Sequence, residues 1–301
     1  MVAVGTLAVV VWYLGIGPFL DGIRAVDRAA LLVGAGIGVL TTFCCAWRWT
    51  TVAHGLGLRL SFPAAVAACY RSVFLNLTLP GGVVGDVHRG VSHGRTVRDV
   101  GLALRAVAWE RTAGQVVEAV VTVAVLVALP SPVRPSTPLV VGVLVAVVIA
   151  VALLARARPG QGHSRWARVR RAIAGDVRGA LLTRRAWVIV LASLLIVMGH
   201  AITFVVAART AGADAPLSKL FPLALLAMLA MVLPSVAGWG PREGATAWAF
   251  AAAGLGADLG VATAVVYGVM VFVASIPGAL VLVAAWVPRA TIAEAGGAAD
   301  A

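Results

Sequence analysis

The chain has 301 residues, 61% of them apolar and only 12% charged, with a mean hydropathy of +0.99. A soluble domain carries roughly 25% charged residues, so this composition argues for an all-α polytopic membrane protein, and the lack of short alternating segments argues against a β-barrel. The net charge of +12 does not point to nucleic acid, because nine of the 24 basic residues lie between Arg156 and Arg185 beside apolar runs, the signature of a cytoplasmic loop.

Eight apolar segments follow one another: Val2–Leu20, Ala29–Trp47, Phe62–Leu79, Ala106–Leu129, Leu139–Ala155, Ala186–Ala208, Leu220–Leu233 and Val261–Trp286. No basic stretch precedes the first, so it reads as a span and not as a cleaved signal peptide. Cys44, Cys45 and Cys69 sit in apolar context with no CxxC pattern and read as small packing residues. Phe62–Leu79 carries Arg71 and ends in a Pro-Gly break, and Leu220–Leu233 is short for a span.

The two odd segments resemble each other. Each begins Leu-Ser, continues through Phe-Pro into an apolar run, and ends Leu-Pro, glycines and a charged pair. With both taken as re-entrant hairpins and the other six as full spans, sixteen basic residues fall inside, five outside and three (Arg71, Arg111 and Arg242) in or near the membrane. The expected architecture is therefore about six full transmembrane helices plus two re-entrant hairpins, or eight spans, arranged as inverted repeats. Residues 1–155 form the first half, 156–185 a basic linker, 186–290 the second half and 291–301 a short tail. Both termini are expected in the cytoplasm. In the linker, Trp166, Val169, Ile173, Val177 and Leu181 recur at helical spacing, which suits a helix in the headgroup layer or a plain surface helix.

Charges at membrane depth are costly and mark a pathway or a pair. The candidates are Arg71, Asn76, Asp86 and Arg89 around the first break, Glu110 and Arg111 in the next span, and Arg242 and Glu243 after the second break. Arg111, Gln115 and Glu118 share one helix face. Arginine forks suit phosphate, and glycine-rich backbone lets amides approach an anionic headgroup. Pro80, Gly81, Gly85, Pro234, Gly238 and Gly240 are the expected break residues. The same charges also suit internal ion pairs holding the hairpins together. His88 and His93 lack a third metal-ligating neighbour, and His200 reads as a packed, hydrogen-bonded histidine. No nucleotide fingerprint, catalytic triad, metal or cofactor motif is found, so an enzyme is not expected.

The motifs Trp47-Arg48, "SFPAAV", "FLNLTLPGGVVGDVHRG", "AWERTAGQ" and "LPSVAGWGPREGATAW" resemble the lysylphosphatidylglycerol synthase transmembrane region family, also called flippase-like. The resemblance covers nearly the whole chain. It implies lipid translocation, with Asn76, Pro80, Gly81, Gly85, Asp86, Arg89, Glu110, Arg111, Pro234, Gly238, Gly240, Arg242 and Glu243 matching the family's motifs. Val84 and Gly90 depart from the usual pattern. No synthase domain is expected, so aminoacyl transfer is not implied. The expected function is an inner-membrane flippase or transporter for an anionic lipid or a polyprenyl-phosphate-linked glycan, in a bacterial cytoplasmic membrane. The alternative is a non-transporting accessory or scaffold for a cell-envelope glycosyltransferase or lipid synthase. The expected partners are membrane lipids, with no nucleic acid.

Overall fold

A computed structural model describes residues 2–128, 142, 172–181, 184–233 and 235–286. The expected span Leu139–Ala155 apart from Gly142, the tail 291–301, Pro234, and Trp166 and Val169 of the linker lie outside these residues. Apart from isolated bridges, the secondary structure of the described residues is helical.

The first segment is not one straight span. Helix α1 (Val2–Leu14) and α2 (Gly17–Ala25) are bent by 94° at the break. Gly15 there has φ +71, which suits glycine, and Pro18 in the first turn of α2 starts a new helix. Helix α3 (Arg28–Gly55) is capped by Asp27, which accepts a hydrogen bond from the Ala30 amide at 2.6 Å. Then come α4 (Phe62–Thr78), α5 (Val84–Val97) and α6 (Val100–Ala128). After a π-helical turn at Val177–Leu181 follow α7 (Ala186–Thr210), α8 (Leu217–Ala230), α9 (Pro241–Ala252) and α10 (Ala257–Trp286).

Helices α3, α6, α7 and α10 are long and apolar enough to cross a membrane, and α1 with α2 counts as a fifth if read as one broken span. Their outward faces stay greasy: Leu32 is 75% exposed, Val120 50% and Leu280 67%, as hydrocarbon contact requires.

Between the long helices lie two short pairs. Helices α4 and α5 double back on each other. Asn76 meets Gly85, Ser72 meets Asp86 and Cys69 meets Arg89, so the sequence separation widens away from the turn. Gly85 was expected in the break but lies in the first turn of α5. A Cβ there would sit 2.0 Å from the Ser72 carbonyl oxygen, so its use is close helix packing. Helices α8 and α9 form the second packed pair.

Small residues let the long helices approach. A Cβ on Gly38 of α3 would lie 2.5 Å from the Ala274 Cβ of α10, and one on Gly34 would lie 3.0 Å from the Met270 Cβ. Two cores result. One gathers Trp49, Leu60, Ala65 and Ala103 around α3, α4 and α6. The other gathers Phe204, Leu223, Phe250 and Tyr267 around α7 to α10. The described end of the basic linker is packed, not lying free: Val177 and Ala180 are buried, and Asp176 accepts from the Trp109 indole at 3.1 Å and pairs with Arg105 at 3.3 Å.

Candidate functional site

The two backbone breaks touch. Pro80 and Val236 form an isolated antiparallel bridge, and the Gly81 amide donates to the Ser235 carbonyl at 2.8 Å. The second tip is itself a tight turn, with Val236 and Trp239 exchanging amide–carbonyl bonds of 3.0 and 2.9 Å. Gly81 and Gly240 have φ +107 and +121, beyond what side-chain-bearing residues readily adopt. Gly238 leaves room for Leu77, whose Cδ2 a Cβ would meet at 2.9 Å. Pro80 and the glycines thus bring two strips of non-helical backbone face to face.

Beside the first tip runs a chain of alternating charges. Asn76 ties α4 to the start of α5: its carbonyl oxygen accepts from the Gly85 amide at 2.7 Å and its amide donates to Asp86 at 3.1 Å. Asp86 also accepts from Ser72 at 2.9 Å and Arg111 at 2.8 Å, and pairs with Arg89 Nε at 3.1 Å. Arg89 reaches on to Glu110, whose other oxygen takes Arg48 Nε at 2.7 Å. Arg48 then donates to Ser193 of α7 at 2.9 Å. Arg89 is 1% exposed, Glu110 0% and Arg48 5%; such buried charges persist only when paired. The Arg89 guanidinium also lies 4.8 Å over the Trp49 ring.

The second cluster is more compact. Glu243 accepts from the Gly240 amide at 2.6 Å and from Arg242 Nε at 2.9 Å. The Arg242 guanidinium sits between the Trp239 and Tyr267 rings, at 5.6 and 5.3 Å. Each cluster has a glycine making room for its arginine. A Cβ on Gly114 would lie 2.5 Å from Arg48 Nη1, and one on Gly268 would lie 2.6 Å from Arg242 Nη2.

A cavity of about 240 Å³ lies under the joined tips, lined by Arg48, Arg111, Glu118, His200, Arg242 and Tyr267 with Asn76, Gly82, Ser235 and Gly238 above. A second, of about 110 Å³, shares Arg48, Arg111 and His200 with it, between α3, α7 and α10. A third, of about 260 Å³, shares Leu77, Gly238 and Arg242 on the far side of the second tip. Arg111 is the most open of the paired central arginines, with 40% of its side chain accessible.

Of the expected residues, Asn76, Arg111 and Arg242 line the main cavity, and Asp86, Arg89, Glu110 and Glu243 hold its arginines in place. Arg71 is not brought to the cavity; it lies near His88. Asp86 and Arg89, expected around the first break, lie buried within α5. His200 is hydrogen-bonded as expected, through Nδ1 to the Tyr267 hydroxyl at 2.9 Å. Sequence reasoning placed Arg48 among the inside charges and in the Trp47-Arg48 motif but not in the site, and it passed over Ser193 and Tyr267.

The family model for the lysylphosphatidylglycerol synthase TM region matches residues 1–278. The chain belongs to that family. The match takes in both helix pairs and both arginine clusters, so the site described above lies within the family's membrane region. No curated protein gives a significant match to the chain.

Proposed function

We propose that this family member is a lipid flippase or transporter that moves an anionic lipid, or a polyprenyl-phosphate-linked glycan, across a bacterial cytoplasmic membrane. The observation that carries this reading is the cavity under the joined tips, where Arg48, Arg111 and Arg242 converge from three different helices. Guanidinium groups at depth in an apolar bundle suit a phosphate-bearing headgroup, which they bind through planar forks. The run of three cavities sharing residues past both arginine clusters supports passage rather than static storage. Short helix pairs that meet through non-helical tips suit two re-entrant hairpins in inverted halves, since irregular backbone at membrane depth is tolerated where it lines a cavity. No step in this reading makes or breaks a covalent bond, so the protein is not an enzyme, and both termini lie in the cytoplasm.

Reconstitution tests this. Purified protein in liposomes should raise the transbilayer rate of labelled phosphatidylglycerol or of a labelled polyprenyl phosphate above that of empty liposomes. An unchanged rate for both lipid classes would leave the accessory-protein reading, in which the chain docks a glycosyltransferase or lipid synthase and moves nothing.

A further inference from the structure

We propose that Glu118 carries a proton when the cavity holds a phosphodiester monoanion, so that one anion and one proton occupy the site together. This rests on the reading of the cavity as an anionic-headgroup site. The site's charges are four arginines, Arg48, Arg89, Arg111 and Arg242, and four carboxyl groups. Asp86, Glu110 and Glu243 are each fixed by arginine. Glu118 is different. It is 7% exposed, lines the cavity, and its Oε1 is buried with no hydrogen-bond partner among the described residues.

The charge balance makes the coupling specific. With Glu118 ionised, the four carboxylates cancel the four arginines and an arriving monoanion leaves one negative charge unbalanced. With Glu118 protonated, the cluster is one positive charge in excess and the monoanion neutralises it. An unbalanced charge in a low-dielectric site is expensive, so the occupied state holds the proton. The same coupling runs both ways: protonation favours the anion as much as the anion favours the proton.

The groups facing Glu118 do not offer a better proton site. Arg48 comes from α3, Arg111 and Gln115 from its own helix, and Arg242 from α9; arginine stays charged. Tyr267 of α10 and His200 of α7 are bonded to each other at 2.9 Å. Helix α4 presents Asn76, and α8 presents only apolar Met228 to the cavity.

Phosphatidylglycerol is the probe, because its phosphodiester does not itself titrate near neutrality. Purified protein in neutral detergent is titrated between pH 5.5 and 9, with binding and proton uptake read together in weak buffer. Free glycerophosphoglycerol is run beside it. For the parent protein, affinity should fall as pH rises, by up to about tenfold per unit, while proton uptake rises towards about one per anion bound. In Glu118→Gln, an uncharged stand-in for the protonated acid, binding should persist, with a flat pH profile and no uptake. Glu118→Asp should restore the pH dependence. Uptake with the lipid alone assigns the ligand to the membrane; uptake with both probes assigns recognition to the headgroup; either outcome supports the proposal. It is overturned if the parent binds neither probe, if its affinity is independent of pH, if Glu118→Gln keeps the uptake, or if His200→Gln removes it while Glu118→Gln does not. Binding is read without any transport, so a protein that takes up the proton but leaves transbilayer rates unchanged would contradict only the flippase reading.

Discussion

Glu110 holds two guanidinium groups on its two oxygens, from Arg48 and Arg89, with no part of its side chain exposed. Removing it leaves both cations buried with one partner fewer, a change that typically costs roughly 3–5 kcal/mol. Glu110→Ala should therefore lower the thermal unfolding midpoint strongly, whereas Arg111→Ala, at a side chain 40% accessible, should leave it nearly unchanged and act on ligand binding. Gly114→Ala makes a sharper case: its Cβ would fall 2.5 Å from Arg48 Nη1, so the fold should survive with Arg48 displaced and anion affinity reduced, as a binding titration would read. The charged residues of the motifs were legible because charge stands out in an apolar run. Arg48, though part of the Trp47-Arg48 motif, was not legible as a site residue, because it falls just past the expected span Ala29–Trp47 and Thr50 and Thr51 beside it look like the end of that span. The helix in fact continues to Gly55, which puts Arg48 well inside it.

At the scale of elements, the helix pairs are the feature on which transport would turn. The likeness of "LPGG" and "LPSVAG" was readable as two breaks of one kind. That the breaks touch was not readable, because contact between distant turns depends on how four long helices pack. The tip contact is tight enough to cross-link: a Cβ on Gly82 would sit 4.0 Å from the Ser235 Cβ, within the range a disulfide spans. In a background with Cys44, Cys45 and Cys69 replaced, the Gly82→Cys, Ser235→Cys pair should form a disulfide under mild oxidation. If the tips part during lipid passage, the oxidised protein should lose transport and regain it on reduction. Transport that persists through complete cross-linking would show that the tips stay joined. The bend after α1 was missed for a local reason: Gly15 and Pro18 are separated by only two residues within a run whose hydropathy barely dips.

For the molecule as a whole, composition identified a membrane bundle and the motifs identified its family, while the placement of charge needed the fold. Arg48 and Arg89 look like loop charges in a topology count, yet both are buried and face acidic partners across helices. Among the described residues, the long helices present apolar outward faces, and the interior holds an ion-paired network beside a cavity. Such a network can be purely structural, or it can serve a ligand that competes for its cations; the accessible Arg111 and the unpartnered Glu118 oxygen favour the second. The most direct test is the transbilayer rate of labelled phosphatidylglycerol against labelled phosphatidylcholine in proteoliposomes, for the parent protein and for Arg111→Ala. The parent should accelerate the anionic lipid selectively, and Arg111→Ala should lose most of that acceleration, about tenfold or more, while remaining folded. Equal rates for the two lipids, or an Arg111→Ala protein as fast and as selective as the parent, would contradict an anionic-headgroup site in this cavity.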